Sequence, residues 1–292
     1  MFKKLRIAVI TNKELHTLKT KIRPAAEKRG HVMEVLSPLM VDHTNLINST
    51  FVQSLLNYDV VYYRSGFSIS GAYTLGQYLR SQKIPTVNFF HEKFPYYQHK
   101  LFQVQVVSSA GFLVPKTISG SNCSFIVLAE ALKVPFIAKP DVGSQGAGVY
   151  KIDSSEDFDL MKKKNKRGTI LYQEFIPHDY DYRIPVIDGK AVCPYKRVPL
   201  LGEFRANVTL GGKTEKVEEG RLDELSLLSE MIAKVCGIEI MGVDLLLHRE
   251  TEKLYFTEVN DNPGWKDVAE ALGEDPSEAV IDYFEKLATE TK

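Results

Sequence analysis

Short apolar segments alternate with amphipathic ones over the first third of the chain. Strands are expected where a mostly apolar run is bounded by polar or turn-forming residues, and these runs are 5–10, 31–36, 59–63 and 86–88. Helices are expected between them, at 15–29, 45–56 and 70–81. Strands that alternate with helices at this spacing are typical of a small parallel α/β unit. The breaker-rich residues 91–95 mark its end.

The spacing of apolar residues changes after this point. Leu101, Val104 and Val107 predict a helix at 98–110 that ends at Gly111. Further strands are expected at 112–117, 134–139, 149–152 and 170–176, with a helix at 125–132. A hairpin, 182–187 with 191–195, is followed by amphipathic helices at 222–236 and after Pro276. We expect three units: an α/β unit at 1–95, a central α+β unit at 96–176, and a C-terminal α+β unit at 177–292.

Two apolar segments near the C-terminal end predict a hairpin centred on Thr251 that places Asp244 opposite Glu258. Asn260 lies two positions further and shares the face of Glu258, because strand side chains alternate. Carboxylate and amide oxygens suit Mg²⁺, which completes its shell with water and nucleotide phosphates. Two facing carboxylates would repel each other in the metal-free protein. A polar sheet face exposed to water would give the same pattern, and both interpretations stay open.

A second candidate site is the glycine-rich segment 140–148, in which Gly143, Gly146 and Gly148 allow close approach of backbone N–H groups to phosphates. It is not a Walker A loop, since no Gly-Lys-Ser/Thr closes it, nor a dinucleotide-binding turn, since a strand follows it. It fits either a flap over phosphates or a flexible hairpin tip. Lys139 favours phosphates, because a lysine ending an apolar strand is costly to bury without an anion.

Two further segments have both a functional and a structural interpretation. The strand 171–176 could present its backbone to an adenine edge or be an ordinary strand. Arg197 and Arg205 could hold phosphate or carboxylate oxygens bidentately, or be surface cations. The histidines show no pairing typical of a nucleophilic triad, and we expect surface or capping positions for His31, His91 and His99.

Composition narrows the function classes. Lys plus Arg and Asp plus Glu both number 37, so a broad nucleic-acid or anionic-membrane surface is not expected. No apolar run reaches the ~20 residues of a membrane span. The N-terminal residues lead directly into a strand, and Cys123, Cys193 and Cys236 lie far apart. These features predict a cytoplasmic protein.

Taken in order, the motifs closely resemble the ATP-grasp superfamily and, within it, the RimK-type carboxylate–amine ligases. The resemblance covers essentially the whole chain. Its most specific parts are Gly242-Val243-Asp244 and Glu258-Val259-Asn260 with Pro263-Gly264. Segments 29–31 and 63–66 of the N-terminal unit also look like the family.

The resemblance implies a fold and a reaction. The expected fold class is α/β and α+β, an ATP-grasp fold with an N-terminal Rossmann-like (pre-ATP-grasp) α/β domain. The expected enzyme is an ATP-dependent ligase that forms an amide bond through an acyl phosphate and releases ADP and phosphate. Its substrates would be glutamate or another amino acid and an amine or carboxylate acceptor, either a small molecule or a protein tail. The family also implies ATP, two Mg²⁺ ions (with Mn²⁺ as a substitute) and a possible homo-oligomer.

The resemblance also implies roles for individual residues. Lys100 and Lys139 would contact ATP phosphates, and Arg197 would meet the substrate carboxylate. Arg205 and Asn207 would touch the γ-phosphate or the acyl phosphate. Asp244, Glu258 and Asn260 would hold the two Mg²⁺ ions. The other nucleotide-binding positions would be Gly143, Ser144, Gly146, Gly148, Gln173, Glu174, Phe175, Ile176, Asp181 and Arg183, with Glu174 and Ile176 in the hinge that reads adenine.

One departure concerns the residues after Asn260. Many relatives carry small residues there, whereas this chain has Asp261 and Asn262. The metal ligands are intact, but the acceptor pocket and the product stay open. Two other classes of function also stay open: a small-molecule kinase on the same scaffold, and a nucleotide-binding protein without turnover.

Overall fold

The structure is a computed structural model. It describes residues 3–12, 17–38, 41–89, 96–120, 123–143, 146–165, 168–206, 211–265, 268 and 272–290. In these ranges no helix combines the length and apolar character needed to cross a membrane. The three cysteines are free thiols. Two predicted site residues, Ser144 and Asn207, and the predicted unit boundary at 95 lie outside the described residues.

The N-terminal unit contains a four-stranded parallel sheet in the order β2 (Val32–Leu36), β1 (Arg6–Ile10), β3 (Val60–Tyr63), β4 (Thr86–Val87). The prediction of a parallel α/β unit is confirmed. Alternate residues of β1 enter different cores, Ile7 and Val9 on one face and Ala8 and Ile10 on the other, because helices cover both faces of the sheet. The elements are β1 (Arg6–Ile10), a π-helical turn (Leu18–Ile22) that continues as α1 (Arg23–Lys28), β2 (Val32–Leu36), a 3₁₀ turn (Leu46–Asn48), α2 (Thr50–Leu55), β3 (Val60–Tyr63), α3 (Ile69–Ser81) and β4 (Thr86–Val87).

The central sheet is antiparallel, in the order β5 (Thr117–Ser119), β8 (Ile170–Glu174), β6 (Phe136–Pro140), β7 (Tyr150–Ile152). Its core is formed by apolar side chains of the sheet and two helices, with Phe136, Phe158 and Tyr172 in mutual ring contact. The elements of this part of the sequence are α4 (Lys100–Ser109), β5 (Thr117–Ser119), α5 (Phe125–Leu132), β6 (Phe136–Pro140), β7 (Tyr150–Ile152), α6 (Ser155–Lys164) and β8 (Ile170–Glu174). Helix α4 does not pack into this core: its Val107 enters the core that the C-terminal sheet shares with the N-terminal unit.

The strand predicted at 112–117 is wrong in position. Sheet pairing begins at Thr117, where β5 meets Gln173 of β8. The preceding residues instead run beside the C-terminal unit, where the Phe256 N–H donates to the Leu113 carbonyl at 2.9 Å. The pattern of apolar residues correctly predicted an extended segment here, but it could not show which sheet that segment lies beside.

The C-terminal unit contains an antiparallel sheet in the order β12 (Lys213–Lys216), β11 (Tyr195–Val198), β9 (Asp181–Ile187), β13 (Ile240–Leu247), β14 (Leu254–Asn260), and β10 (Lys190–Ala191) pairs with β9. The hairpin predicted over Asp188-Gly189 is confirmed for its first residues, after which pairing with β9 resumes only at Tyr195. The elements are β9 (Asp181–Ile187), β10 (Lys190–Ala191), β11 (Tyr195–Val198), β12 (Lys213–Lys216), α7 (Glu219–Cys236), β13 (Ile240–Leu247), β14 (Leu254–Asn260) and α8 (Ser277–Glu290).

Helix α8 returns to the N-terminal unit. Arg29 pairs there with Glu278, Asp282 and Glu285. His31 is buried and is not the predicted surface or capping residue. Its Nδ1 accepts the Leu5 N–H at 3.2 Å, so Nε2 carries the proton and donates to Glu285 Oε1 at 2.8 Å.

Gln103 of α4 completes the outer edge of β14. Its Oε1 accepts the Val259 N–H at 2.9 Å, and its Nε2 donates to the Val259 carbonyl at 3.0 Å and to the Tyr97 carbonyl. An edge strand leaves backbone groups unpaired, and this buried amide pairs them as another strand would. Val259 lies between Glu258 and Asn260, so Gln103 fixes the backbone of the predicted metal-binding strand.

We expect Gln103→Leu to lower the free energy of unfolding by about 2–5 kcal/mol, because it leaves several buried backbone groups without partners at about 1–3 kcal/mol each. Urea denaturation measures the loss. Gln82→Leu, at an exposed position, is the matched control and should change stability by about 0.5 kcal/mol or less. Equal stability of the two variants would contradict the role assigned to Gln103.

Candidate active site

A cleft separates the central sheet from the C-terminal sheet. Its walls come from β6, the glycine-rich segment and β8 on one side, and from β9, β11, β13 and β14 on the other. The predicted residues that line it are Lys100, Lys139, Gly143, Gly146, Gln173, Glu174, Phe175, Ile176, Asp181, Arg197, Arg205, Asp244 and Glu258. Gly148, Arg183 and Asn260 are not part of this lining.

The register of β13 and β14 places Asp244 directly opposite Glu258, as the sequence predicted. Beyond that pair the register shifts by one residue, and Leu245 pairs with Phe256. The resulting β-bulge turns two consecutive side chains, Thr257 and Glu258, toward the cleft, while Phe256 and Val259 enter the core. Thr257 Oγ1 donates to the Asp244 carbonyl at 3.1 Å, which ties the bulge to the facing strand.

Asp244 is compensated by two arginines on the same face of the sheet. Arg183 lies opposite it on β9 and donates through Nε and Nη2, the latter at 2.7 Å, and Arg197 of β11 donates at 2.9 Å. Burial raises the pKa of Asp244, but the two guanidinium groups outweigh it and hold that pKa below its ordinary value. Glu258 in turn meets Lys100 Nζ at 3.1 Å. The expectation of repulsion between Asp244 and Glu258 is therefore wrong, because a cation compensates each carboxylate.

Arg197 is held in place as well. Its Nε and Nη2 donate to Asp181 at 2.6 and 2.8 Å, in a bidentate pair with the residue opposite it on β9. Arg183 reaches Asp244 past Gly242, where a Cβ atom would lie 2.9 Å from Arg183 Cδ. The charged side chains on the neighbouring strands β11, β9, β13 and β14 can therefore pair only because position 242 is a glycine.

Lys139 is buried at the end of β6 and faces the cleft. Desolvation lowers the pKa of its ammonium to about 8, with repulsion from Lys100 acting in the same direction and attraction to Glu258 opposing it. No hydrogen bond or ion pair to a described residue satisfies this ammonium. A buried cation without a bonded partner next to a glycine-rich segment fits an anionic ligand.

Lys100 is placed by Asp141. The carboxylate of Asp141 accepts the Leu101 N–H at 2.9 Å at the start of α4, and its other oxygen lies 2.7 Å from His99 Nδ1. Lys100 Nζ then donates to the Gly143 carbonyl at 2.7 Å. The helix start, the end of β6 and the glycine-rich segment are thereby joined at one point.

Arg205 joins the glycine-rich segment to the segment after β11. Its guanidinium donates to the Gly146 carbonyl at 3.2 Å and forms a bidentate pair with Glu203, at 3.1 and 2.7 Å. The hydrogen bonds from Arg205 lower the pKa of Glu203 to about 2. Next to this pair, the ring nitrogens of His178 lie 2.6 Å from the Ile176 carbonyl and 3.1 Å from the Phe204 carbonyl.

The remaining wall is apolar and suits a flat ring. Strand β8 ends at Glu174, and Phe175 and Ile176 follow it outside the sheet. Their segment faces side chains from both units, namely Pro115, Ile137, Val149, Phe204 and Leu246. A few polar groups in a mostly apolar cleft are typical of a small-molecule site.

The donors at the acidic end of the cleft fit a magnesium site. In the described ranges, no three His, Cys, Asp or Glu side chains cluster closely enough to hold a metal alone. Mg²⁺ needs only one or two carboxylates when phosphates and water complete its shell. Asp244 and Glu258 would supply these carboxylates, and Asn260 Oδ1, which accepts the Asn262 N–H at 2.9 Å, retains a lone pair.

Three residues of the site were missed by sequence reasoning: Asp141, His178 and Thr257. The apolar residues Phe256 and Val259 stand three apart, which strict alternation does not allow, and this spacing could have indicated the bulge at Thr257. Asp141 directly follows a mostly apolar strand, and this position is the only feature of the sequence that could have indicated a role in the site. Nothing in the local sequence singled out His178.

A family model described as the RimK-like ATP-grasp domain matches residues 98–284. The chain belongs to the RimK-like ATP-grasp family. It is accordingly an ATP-dependent ligase that forms C–N bonds, of the carboxylate–amine type. ATP-grasp ligases use ATP and Mg²⁺, which agrees with the donors found in the cleft.

Similar proteins match over nearly the whole chain. A protein of Methanococcoides burtonii named probable alpha-L-glutamate ligase is 29% identical over 97% of this chain and 96% of its own length. One of Haemophilus influenzae with the same name is 29% identical over 91% of this chain and 92% of its own.

Solved structures share the fold at lower identity. D-alanine–D-alanine ligase from Bacillus anthracis, complexed with ATP, has a TM-score of 0.70 at 17% identity and covers 99% of this chain and 100% of its own. N5-carboxyaminoimidazole synthetase from Staphylococcus aureus, complexed with ADP, reaches 0.76 at 18% identity and covers 98% of this chain and 78% of its own. The expected ATP-grasp fold with an N-terminal α/β domain is confirmed.

Proposed function

We propose that this ligase activates a substrate carboxylate with ATP and joins it to the amino group of an amino acid. A carboxylate oxygen attacks the γ-phosphorus, the bond from that phosphorus to ADP breaks, and an acyl phosphate forms. The amine nitrogen then attacks the acyl carbon, the carbon–oxygen bond to phosphate breaks, and one proton leaves the nitrogen. The products are an amide, ADP and phosphate.

The observation that carries this proposal is the buried ammonium of Lys139 beside the glycine-rich segment and the acidic end of the cleft. Triphosphate oxygens would supply the partners that Lys139 lacks among the described residues. Lys100 and Arg205 now bond to the carbonyls of Gly143 and Gly146. They could turn from these carbonyls to phosphate oxygens, which leaves the segment free to cover the nucleotide.

The residues of this chain act by positioning and by neutralising charge. Lys100, Lys139, Arg205 and Asn207 would bind phosphate oxygens, and Arg197 the carboxylate to be activated. The backbone from Glu174 to Ile176 would read the adenine edge. Asp244, Glu258 and Asn260 would hold two Mg²⁺ ions, for which Mn²⁺ can substitute. Bound there, the metal would withdraw charge from the phosphates during transfer.

We propose glutamate as the first amino acid to test. The relatives named probable alpha-L-glutamate ligases, which match nearly the whole length of this chain, support this choice. The acceptor would carry a carboxylate on a small molecule or on a protein tail.

The test is incubation with Mg-ATP, a panel of amino acids and a panel of carboxylate acceptors, followed by mass spectrometry. The expected product is an acceptor heavier by one amino-acid residue, with one ADP formed per bond. Omission of the amino acid is the control and should abolish that product. An acceptor heavier by one phosphate would instead indicate a kinase, and nucleotide binding without ADP formation would indicate a protein without turnover.

A further inference from the structure

The ring of His178 lies between two backbone carbonyl groups at the wall of the cleft. It is half-buried and belongs to the cleft lining. Its Nδ1 lies 2.6 Å from the Ile176 carbonyl oxygen, and its Nε2 lies 3.1 Å from the Phe204 carbonyl oxygen. A carbonyl oxygen only accepts hydrogen bonds, so both ring nitrogens must carry a proton if both bonds are to form. The ring therefore satisfies this position as the imidazolium and not as the neutral imidazole.

A neutral ring would lose one of the two bonds. It has a single N–H, and the lone pair of its other nitrogen would face a carbonyl oxygen, which is repulsive at this distance. The bond to Ile176 is the shorter one and joins residues two apart in the sequence. The bond to Phe204 spans 26 residues and connects the end of β8 with the segment after β11. Loss of the proton is therefore expected to release the Phe204 carbonyl.

The charged groups around this ring are already paired. No described carboxylate lies within 4.0 Å of the ring nitrogens. On the elements packed around the ring, each charged group has a partner: Asp179 with Arg249, Glu203 with Arg205, Lys151 with Asp153, and Glu174 with the Lys116 N–H. The two carbonyl groups are thus the hydrogen-bonding partners of the protonated ring within the described part of the chain.

Phe204 precedes the arginine that joins the glycine-rich segment to this part of the cleft. Glu203 Oε1 accepts the N–H groups of Phe204 and Arg205 at 2.9 and 3.0 Å, which folds these three residues into one tight segment. The guanidinium of Arg205 extends from this segment to the Gly146 carbonyl. Because His178 holds the carbonyl side of the same segment, it helps to fix the direction in which Arg205 points.

We propose that His178 is a positioning residue, which as imidazolium holds the Phe204 carbonyl and thereby aims Arg205 at the phosphates of ATP. Its other bond goes to Ile176, so the ring joins the adenine end of the cleft to the phosphate end. Affinity for ATP should therefore decrease as this ring loses its proton, within the range of about pH 5 to 8 in which histidine side chains titrate. This inference rests on the proposed function, in which Arg205 binds a phosphate oxygen.

The test is calorimetric titration of the full chain with Mg²⁺ and a non-hydrolysable ATP analogue near the two ends of that pH range. His178→Phe keeps a ring beside Phe175 but removes both donors. It should weaken binding about tenfold at the acidic end and change it little at the alkaline end. Other titrating groups of the cleft act on both proteins, so the quantity compared is the ratio of the two affinities at each pH.

His248→Phe is the matched control. His248 lies outside the cleft lining, and its Nδ1 accepts the N–H groups of Glu250 and Thr251, both at 3.2 Å, so its bonds need no added proton. Its replacement should leave the affinity for the analogue unchanged at both ends of the pH range. If His178→Phe does not fold, His178→Gln takes its place, because an amide has one donor nitrogen at every pH.

A second variant tests whether His178 acts through Arg205. In an Arg205→Gln background, His178→Phe should have little further effect on affinity, because the guanidinium that His178 positions is absent. An equal loss in both backgrounds would overturn the inference, since it would show a general packing role. The same holds for an equal loss at both ends of the pH range and for wild-type affinity in His178→Phe.

The outcomes also separate this inference from the proposed function. Ligation by a His178→Phe variant with wild-type affinity at every pH would leave the proposed function standing without the role assigned to His178. The expected pH-dependent binding without any ligation product would leave the role of His178 in nucleotide binding and remove the proposed reaction.

Discussion

Glu258→Gln should reduce ADP formation about a hundredfold or more, a loss of the size seen when one group that stabilises transition-state charge is removed. The amide keeps the shape of the side chain but lacks the charge that would hold Mg²⁺ next to the γ-phosphate. The fold should tolerate the change, because the Glu258 side chain is 26% exposed and the amide keeps its shape. Lys100 keeps its hydrogen bond to the Gly143 carbonyl.

Single-turnover ADP formation and melting curves with EDTA and with Mg-ADP measure the two effects. We expect the variant to lose the increase in melting temperature that Mg²⁺ adds and to keep the melting temperature in EDTA. Glu215→Gln is the matched control, since Glu215 pairs with Lys196 at 3.4 Å on the same sheet, outside the site. Full Mg²⁺-dependent turnover in Glu258→Gln would place the metal elsewhere.

Lys139→Met should weaken ATP binding about ten- to a hundredfold, the value of one charge-assisted hydrogen bond to phosphate. The same change should stabilise the ligand-free protein. Folding lowers the pKa of this lysine from 10.5 to about 8, which reduces the free energy of unfolding by about 3 kcal/mol. Methionine carries no charge and removes this loss. Opposite changes in ligand affinity and stability are typical of a residue kept for binding.

The stability gained by Lys139→Met should depend on pH in a defined direction. Below the folded-state pKa of about 8, Lys139 is charged in both the folded and the unfolded protein, and its burial lowers stability by the full amount. Between about 8 and 10.5 the folded protein releases the proton first, so this group's contribution to stability rises with pH and is complete above 10.5. The stability gain of Lys139→Met should thus be largest near neutral pH and vanish at high pH.

Urea denaturation at several pH values and calorimetry with ATP measure these two changes. Lys190→Met, at a surface ion pair with Glu230, is the control and should change neither quantity appreciably. A destabilised Lys139→Met variant with wild-type ATP affinity would show that Lys139 is structural.

The sequence by itself determined the elements and the main acidic pair. The spacing of apolar residues located most helices and strands within a few residues, because the buried face of each element is formed by residues close together in the sequence. The pair of Asp244 and Glu258 was predicted from a hairpin centred on Thr251, but the strand residues near the turn pair one residue off that centre, and the bulge at Thr257 restores the predicted pair. The glycine-rich segment with Lys139 followed from neighbouring residues. Each of these features depends on residues close together in the chain.

Only the tertiary structure decided how the charges are compensated. Arg183 and Arg197 meet Asp244 because three strands lie side by side, and Gln103 reaches Val259 across 156 residues of sequence. Asn262 and Arg64 are likewise 198 residues apart in the sequence, and the hydrogen bond from the Asn262 amide to the Arg64 carbonyl forms only where the two parts of the chain pack together. Periodicity states which face of an element is buried, but a hydrogen bond or ion pair requires a particular atom from a distant element. That information is fixed only when the chain packs.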